Sequence, residues 1–295
     1  MRQRVCRVTL WDARFPNVQK VYENLAVSFE VNVSAAGVFS KGVVRICGLS
    51  TDTIEEFTMF QPNWTNKEYF KRLKLEVGHT EDGKNNVSCI IDGYIERAVP
   101  TAPPDRWLVC SVVEALNSFT EYKEIHDTDT TLYGLVQTIG KEYNVLTGGG
   151  FTVRDYTKKA LTTNIKEYRF FGNMSAQLSN IMNLYKKKGG FRVWYQLGQF
   201  YIADYEYQDG KDLNVLIGED DKRKGLIIYG IPQPYNWGCN IRTELVDTIS
   251  LLNKVTIKSK SIPSMNGVYN PFSLTYVGES RGTNWYVDMA ATRIK

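Results

Sequence analysis

The chain has 295 residues, enough for two or three domains with buried cores. Hydrophobic residues make up 43% and charged residues 23%, which excludes a disordered chain. A formal net charge of +4, with both signs dispersed along the sequence, excludes a nucleic-acid binder of the basic-patch kind.

The 18 Tyr, 13 Phe and 6 Trp residues favour half-buried pleated surfaces and protein interfaces. Five cysteines, Cys6, Cys47, Cys89, Cys110 and Cys239, form no CxxC pair, and most sit in apolar, strand-like surroundings. They read as buried free thiols of a protein made in a reducing cytoplasm. The segment Cys6 to Leu10 is too short and mixed for a signal-peptide core, and no run approaches the roughly 18 apolar residues that span a bilayer. The expectation is a chain folded in the cytosol without a membrane anchor.

In the first third, Leu25 to Val33 alternates apolar and polar residues and predicts a half-buried strand. Gly42 to Cys47 predicts a second, followed by a short helix through Phe57 capped by Ser50 or Thr51. Arg72 to Val77, Asn86 to Ile95 and Arg106 to Val113 complete a set of close-spaced strands. Gly78, Asp82-Gly83 and Pro103-Pro104 read as the turns between them. Such spacing suggests a small barrel or sandwich.

The middle third changes period. Leu132, Leu135, Val136, Ile139 and Tyr143 form a helical stripe with Asp129 or Thr130 as N-cap. A second helix starts near Ser175, carries Lys186 to Lys188 in its last turn and ends at Gly189-Gly190. Phe191 to Tyr195 and Gln199 to Ala203 flank Gln196-Leu197-Gly198 as a β-hairpin. The last third returns to strands at 225–230, 254–260, 268–278 and 284–293. In the second of these, Thr256, Lys258 and Lys260 alternate with Val255, Ile257 and Ser259, the mark of a one-sided sheet. The period changes place boundaries near 118 and 222.

A search for chemistry finds little. His79 and His126 have no Cys or acidic ligand pattern at motif spacing, and His79, beside Gly78, reads as an exposed loop residue. Gly148 to Gly150 lacks the Lys-Ser/Thr of a phosphate-binding loop and reads as a connection. Glu219 to Asp221 is followed at once by Lys222 to Lys224, a self-neutralising surface loop, and Glu55-Glu56 is a helix N-terminal charge. No nucleophile, base or ligand set emerges, which shifts the reading towards binding and architecture.

Certain segments carry a family signature in their order. Gly42 to Thr53 is a strand, a turn at Gly48 and a short helix; Leu73 to His79 is a strand ending in Gly-His; Ile90 to Ile95 is a strand around Gly93. Leu226 to Pro232, Gly267 to Tyr269, Val277 to Gly282 and Trp285 follow in the C-terminal third. Together they resemble the baseplate (tail) hub proteins of contractile-tailed phages and related injection machines. Gly48 stands where Asn is common in that family and His79 where Tyr is usual, so the chain reads as a diverged member.

The resemblance implies a β-rich α+β fold: two tube-type antiparallel β-barrel domains, 1–118 and 223–295, flanking a small α/β insert module at 119–222. It implies a homotrimer whose barrels form a pseudo-hexameric ring, joining a sixfold tail tube or tube-initiator ring to a trimeric spike. Baseplate wedge proteins would surround the ring, and a tape-measure protein and DNA would pass through it. Thr256, Lys258 and Lys260 become candidate channel-lining residues, and Glu279, Arg281 and Trp285 of the closing hairpin candidate assembly contacts. No reaction, metal or cofactor is implied, and the protein is expected in the virion tail baseplate after assembly in the host cytoplasm. Rival readings are a cell-wall hydrolase using Glu142, Asp155 or Glu167, a monomeric carbohydrate-binding module, and the hub portion of a type VI secretion spike or phage-tail-like bacteriocin.

Overall fold

The computed structural model describes residues 3–35, 39–59, 71–81, 84–114, 121–144, 152–155, 162–185, 190–204, 212–217, 229–235, 238–245, 249–259 and 262–294. The N-terminal third forms strands β1 (Gln3–Asp12), β2 (Gln19–Tyr22), β3 (Ala26–Ser34), β4 (Lys41–Cys47), β5 (Lys71–Glu81), β6 (Lys84–Pro100) and β7 (Trp107–Val113). Alternation decides the sidedness of β3: Val27, Phe29, Val31 and Val33 are buried, while Glu30 and Asn32 face solvent. Helix α1 (Thr51–Phe57) follows β4. The Ser50 hydroxyl caps it by accepting from the Thr53 amide, and Ile54 and Phe57 turn inward.

In the middle third, the strands between residues 123 and 204 form sheets separate from the main one. Strands β8 (Lys123–Thr131) and β10 (Asn164–Gly172) pair as a ribbon, and β9 (Thr152–Asp155), β12 (Gln199–Asp204) and β11 (Phe191–Gln196) form a three-stranded sheet. Helices α2 (Leu132–Asn144) and α3 (Met174–Tyr185) lie against them. The Thr131 hydroxyl, rather than Asp129 or Thr130, caps α2 by accepting from the Gly134 amide at 3.0 Å. Asn173 caps α3 through the Ala176 amide. The β11–β12 turn holds Leu197 at φ 50° and Gly198 at φ 77°, the left-handed pair that a two-residue hairpin turn needs.

The hairpin β11–β12 is buried on both faces. Phe191, Val193, Phe200 and Ile202 enter the module's core with Leu135, Ile139, Leu178 and Ile181. From its other face, Trp194 and Ala203 join the large core of the main sheet. Trp194 stacks on Tyr201 at 5.0 Å, and the buried Arg192 guanidinium donates to the carbonyls of Leu251 (3.2 Å) and Pro271 (3.0 Å).

The last third contributes β13 (Asp212–Ile217), β14 (Gln233–Tyr235), β15 (Gly238–Glu244), β16 (Lys254–Ser259), β17 (Gly267–Glu279) and β18 (Trp285–Ile294). These do not stand apart from the first third. One sheet runs in the order β14-β15-β18-β17-β3-β4-β7-β6-β5-β1-β2, with β16 also on β17 and β13 on β16. The seam is β3 against β17, Ser28–Ser34 pairing antiparallel with Ser273–Glu279. Both parts share one hydrophobic core, from Cys6 and Val8 through Val44 and Ile46 to Ile241 and Met289. The fold is therefore mostly β with few helices, as expected. Among the described residues no pairing closes either part into a barrel.

Some expectations change. Gly78 is not a turn but a mid-strand residue of β5, paired with both Val5 and Val87; a Cβ there would lie 1.8 Å from the Asn86 carbonyl oxygen. His79 is accordingly a strand residue, half-buried rather than a loop side chain. β13 pairs with β16 and so joins the main sheet. Residues 118 and 222 themselves, Asp82-Gly83, Gly148 to Gly150, Lys186 to Gly189, Glu219 to Lys224, most of the 225–230 strand and Lys260 lie outside the described residues. Cys6, Cys110 and Cys239 are buried free thiols, and burial pushes each up to about 12.

Glu114, just beyond β7, ties the module to the sheet: a side-chain carboxyl oxygen accepts from the Leu197 amide at 3.1 Å, and its own amide donates to the Ser40 carbonyl. Burial raises its pKa to about 8, against an ordinary 4.5. The folded chain therefore holds a proton that the unfolded chain releases, so stability is full below about pH 4.5 and falls as pH rises towards 8. Glu114→Gln keeps a neutral acceptor there and should flatten that slope. In chemical denaturation at pH 5 and pH 9, the unmodified protein should lose roughly 2–5 kcal/mol more than the variant between the two conditions. Parallel losses would contradict a buried, protonated Glu114.

Candidate assembly surface

The face of the main sheet opposite its core is polar, and strand register makes it continuous across the seam. One row reads Arg242–Asp288–Thr275–Asn32–Lys41, each residue directly opposite the next on β15, β18, β17, β3 and β4. Arg242 grips Asp288 through two bonds of 2.6 and 2.7 Å, and Thr275 donates to Asn32 Oδ1 at 2.7 Å. The Arg242 guanidinium also lies 4.0 Å over the Tyr286 ring. The next row, Glu244–Tyr286–Val277–Glu30–Val43–Ser111, extends the face to β7. Charges of both signs and hydroxyls, with Val277 and Val43 half-buried among them, stand on a hydrogen-bonded platform and form a wettable surface.

Thr256 and Lys258 belong to this same face. Thr256 is opposite Val268, which is opposite Ile294, and that parity on β18 is shared by Asp288. Thr256 is half-buried and Lys258 exposed, alternating with buried Val255 and Ile257.

Glu279, Arg281 and Trp285 come together at the tip of the β17–β18 hairpin, where they make contacts within the chain. The Glu279 carboxylate organises the turn, accepting from the amides of Thr283 (3.1 Å) and Asn284 (3.4 Å). Arg281 donates to the Asn24 carbonyl at 2.8 Å, and Ser280 exchanges bonds with Val27 and Leu25. Trp285 is only 4% exposed. Phe29 (5.9 Å) and His79 (5.6 Å) meet its ring edge-on, and the Arg4 guanidinium lies 5.3 Å over it. Arg4 also donates to the carbonyls of Gly282 (2.6 Å) and Thr283 (3.3 Å). β1, β3 and β5 thus hold the hairpin tip in place. Sequence reasoning missed Arg4 and the β15 face residues; the alternation of Cys239, Ile241 and Thr243 with Asn240 and Arg242 was the available signal.

Among the described residues, no three His, Cys, Asp or Glu side chains gather as a metal site, and no helix is long and apolar enough to cross a membrane. Glu142 and Glu167 are exposed on α2 and β10, with Glu167 3.9 Å from the His126 ring. The side chain of Asp155 lies outside what is described.

A family model described as baseplate hub gp41 matches residues 6–291. Solved structures share the fold at low identity. The 43 kDa tail protein of prophage MuSo2 from Shewanella oneidensis is 10% identical with a TM-score of 0.62, over 97% of this chain and 96% of that one. A tail protein from Neisseria meningitidis MC58 is 8% identical with a TM-score of 0.64, over 99% and 96%. The E. coli c3393 protein, a type VI secretion component with structural similarity to the T4 tail proteins gp27 and gp5, is 9% identical with a TM-score of 0.56, over 92% and 74%. A search of curated protein sequences finds no match.

The clamp on Trp285 and the openness of Lys258 imply opposite sensitivities. Trp285→Ala should cost about 3–5 kcal/mol of stability, as for large buried aromatics. Lys258→Ala should stay within about 0.5 kcal/mol. Urea titrations of both variants check this; a Trp285 variant as stable as the parent would contradict the clamp.

Proposed function

This chain belongs to the baseplate hub gp41 family, and we propose that it acts as a trimeric tail hub, joining the sixfold tail tube to a threefold central spike. It is a structural tail component of β-rich fold, and the finer assignment is ours. The observation that carries it is the seam: residues from both ends of the chain form one sheet with one polar face, the construction that lets a single subunit present two tube-like units side by side. Two long hairpins, β5–β6 and β17–β18, one in each part, support a two-barrel reading. In that reading residues 1–118 and the C-terminal strands are the two tube-type units and the middle module is peripheral. The second boundary is better drawn ahead of Asp212 than at 222, because β13 lies on β16.

In the ring, the row from Arg242 to Lys41, with Thr256 and Lys258, lines the passage. Mixed polar groups suit a channel that must let DNA or a tape-measure protein slide without gripping a phosphate backbone, which a strongly basic lining would hold. Tube, spike and wedge proteins are the partners, assembly takes place in the host cytoplasm, and no reaction is performed. Glu142 and Glu167 are exposed on α2 and β10, surface positions that favour the structural reading over a hydrolase.

Light scattering after size exclusion tests the reading, on the chain alone and with the trimeric spike protein from the same gene cluster. The expected result is a trimer, or three chains bound per spike trimer. A monomer that ignores the spike would overturn it.

A further inference from the structure

The middle module presents a face that takes no part in the seam or the passage. On the β8–β10 ribbon, register sets Glu124 opposite Phe171, His126 opposite Arg169 and Thr128 opposite Glu167. All six side chains are exposed, whereas Ile125 and Tyr168 on the other face are buried in the module's core. Tyr122, one residue ahead of β8, continues the outer row. It is 61% exposed and Phe171 66%, and their rings adjoin at 6.0 Å with planes 32° apart. Among the described residues this is the one pair of touching rings in which both members are exposed.

The rings stand on a fixed base. The buried Gln177 amide donates to the carbonyls of Lys123 (3.1 Å) and Phe170 (3.0 Å), the residues next to Tyr122 and Phe171. The Tyr143 hydroxyl donates to the Gly172 carbonyl at 2.5 Å. A ligand therefore meets rings already in place. Beside them stand both halves of hydrogen bonding. Arg169 gives its Nε to Glu124 Oε1 at 2.6 Å; among the described residues its terminal nitrogens and Glu124 Oε2 make no bond. Glu167 lies 3.9 Å from the His126 ring and, like Glu124, acts on the Arg169 charge.

These features discriminate among ligands. A polyanion such as nucleic acid would meet Glu124 and Glu167 along with the single Arg169, and would gain little from the contact. The cores of protein–protein contacts are depleted in charged residues, and here such residues surround the rings. A neutral, hydroxyl-bearing ring fits both halves. Its C–H face stacks on an aromatic ring, and its hydroxyls, each a donor and an acceptor, match the Arg169–Glu124 pair.

We propose that this face is a saccharide-binding surface, with Tyr122 and Phe171 stacking on pyranose rings and Arg169 and Glu124 bonding to their hydroxyls. The ligand is a neutral oligosaccharide of linked pyranoses, which the surface binds without breaking a bond. The site lies within one chain, so it stands or falls separately from the hub reading.

Calorimetric titration of the full chain with cellotetraose, chitotetraose and maltotetraose tests it. The expected result is saturable binding of at least one of these sugars. Phe171→Ala and Arg169→Ala should each weaken that binding by about tenfold. Phe171→Tyr, which keeps the ring, should retain it. These sites are exposed, and thermal unfolding like the parent's shows that each variant is folded. Loss of sugar binding with the light-scattering mass unchanged, alone and with the spike, supports a saccharide site independent of assembly. No saturable binding of any of the sugars, or binding that Phe171→Ala leaves unchanged, would overturn the inference. So would a Phe171→Ala defect confined to complexes with other tail proteins, which would assign the face to a protein partner.

Discussion

The structure depends on a single long-range pairing, β3 with β17. It ties Val27 to Ser280 across 253 residues of chain, and it makes one sheet and one core of two parts that the middle module separates in sequence. Closing so long a loop costs conformational entropy, and the seam recovers it through a ladder of backbone bonds and through apolar contact beneath. Gly278 shows how tightly the seam is packed: a Cβ there would lie 2.3 Å from the Phe29 ring. Trp285, held by Phe29, His79 and Arg4, fastens the end of the same hairpin.

From this constraint the functional geometry follows. Because register is continuous across the seam, apolar residues from both parts fall on one face and polar residues on the other. The covered face takes in Trp194 from the module; Arg192 of the module donates to carbonyls on the sheet side, and Glu114 on the sheet side accepts from the Leu197 amide of the module's hairpin. The other face is left as a broad polar surface, the face proposed above to line the passage.

Much of this was legible in the sequence where one face of a strand is wet. β3, β4, β16 and the second half of β17 alternate, α2 and α3 show their stripes, and Gln196-Leu197-Gly198 announces its hairpin. Legibility failed where burial or polarity erases the period. Val5, Cys6, Val8, Thr9, Leu10 and Trp11 of β1 are buried on both faces, so no alternation remains to be read. In β8 only Ile125 is fully buried, and the strand looks like a polar loop. Gly78 reads as a turn in the sequence because glycine marks both turns and close strand approach, and only the Asn86 carbonyl beside it tells them apart. The seam was beyond local reasoning altogether, since periodicity says which face a strand buries and not which strand it meets. For the same reason Trp285 could be picked out as important while its inward role stayed hidden.

Native-state hydrogen exchange at the seam tests the central claim most directly. If β3 and β17 are the joint on which the molecule is built, the paired amides of Val31, Val33, Leu274 and Tyr276 should exchange as slowly as those of β4 and β18, through opening of the whole sheet. Fast exchange at the seam beside slow exchange in its two neighbours would mean that the two parts open independently, and would contradict the single-sheet account.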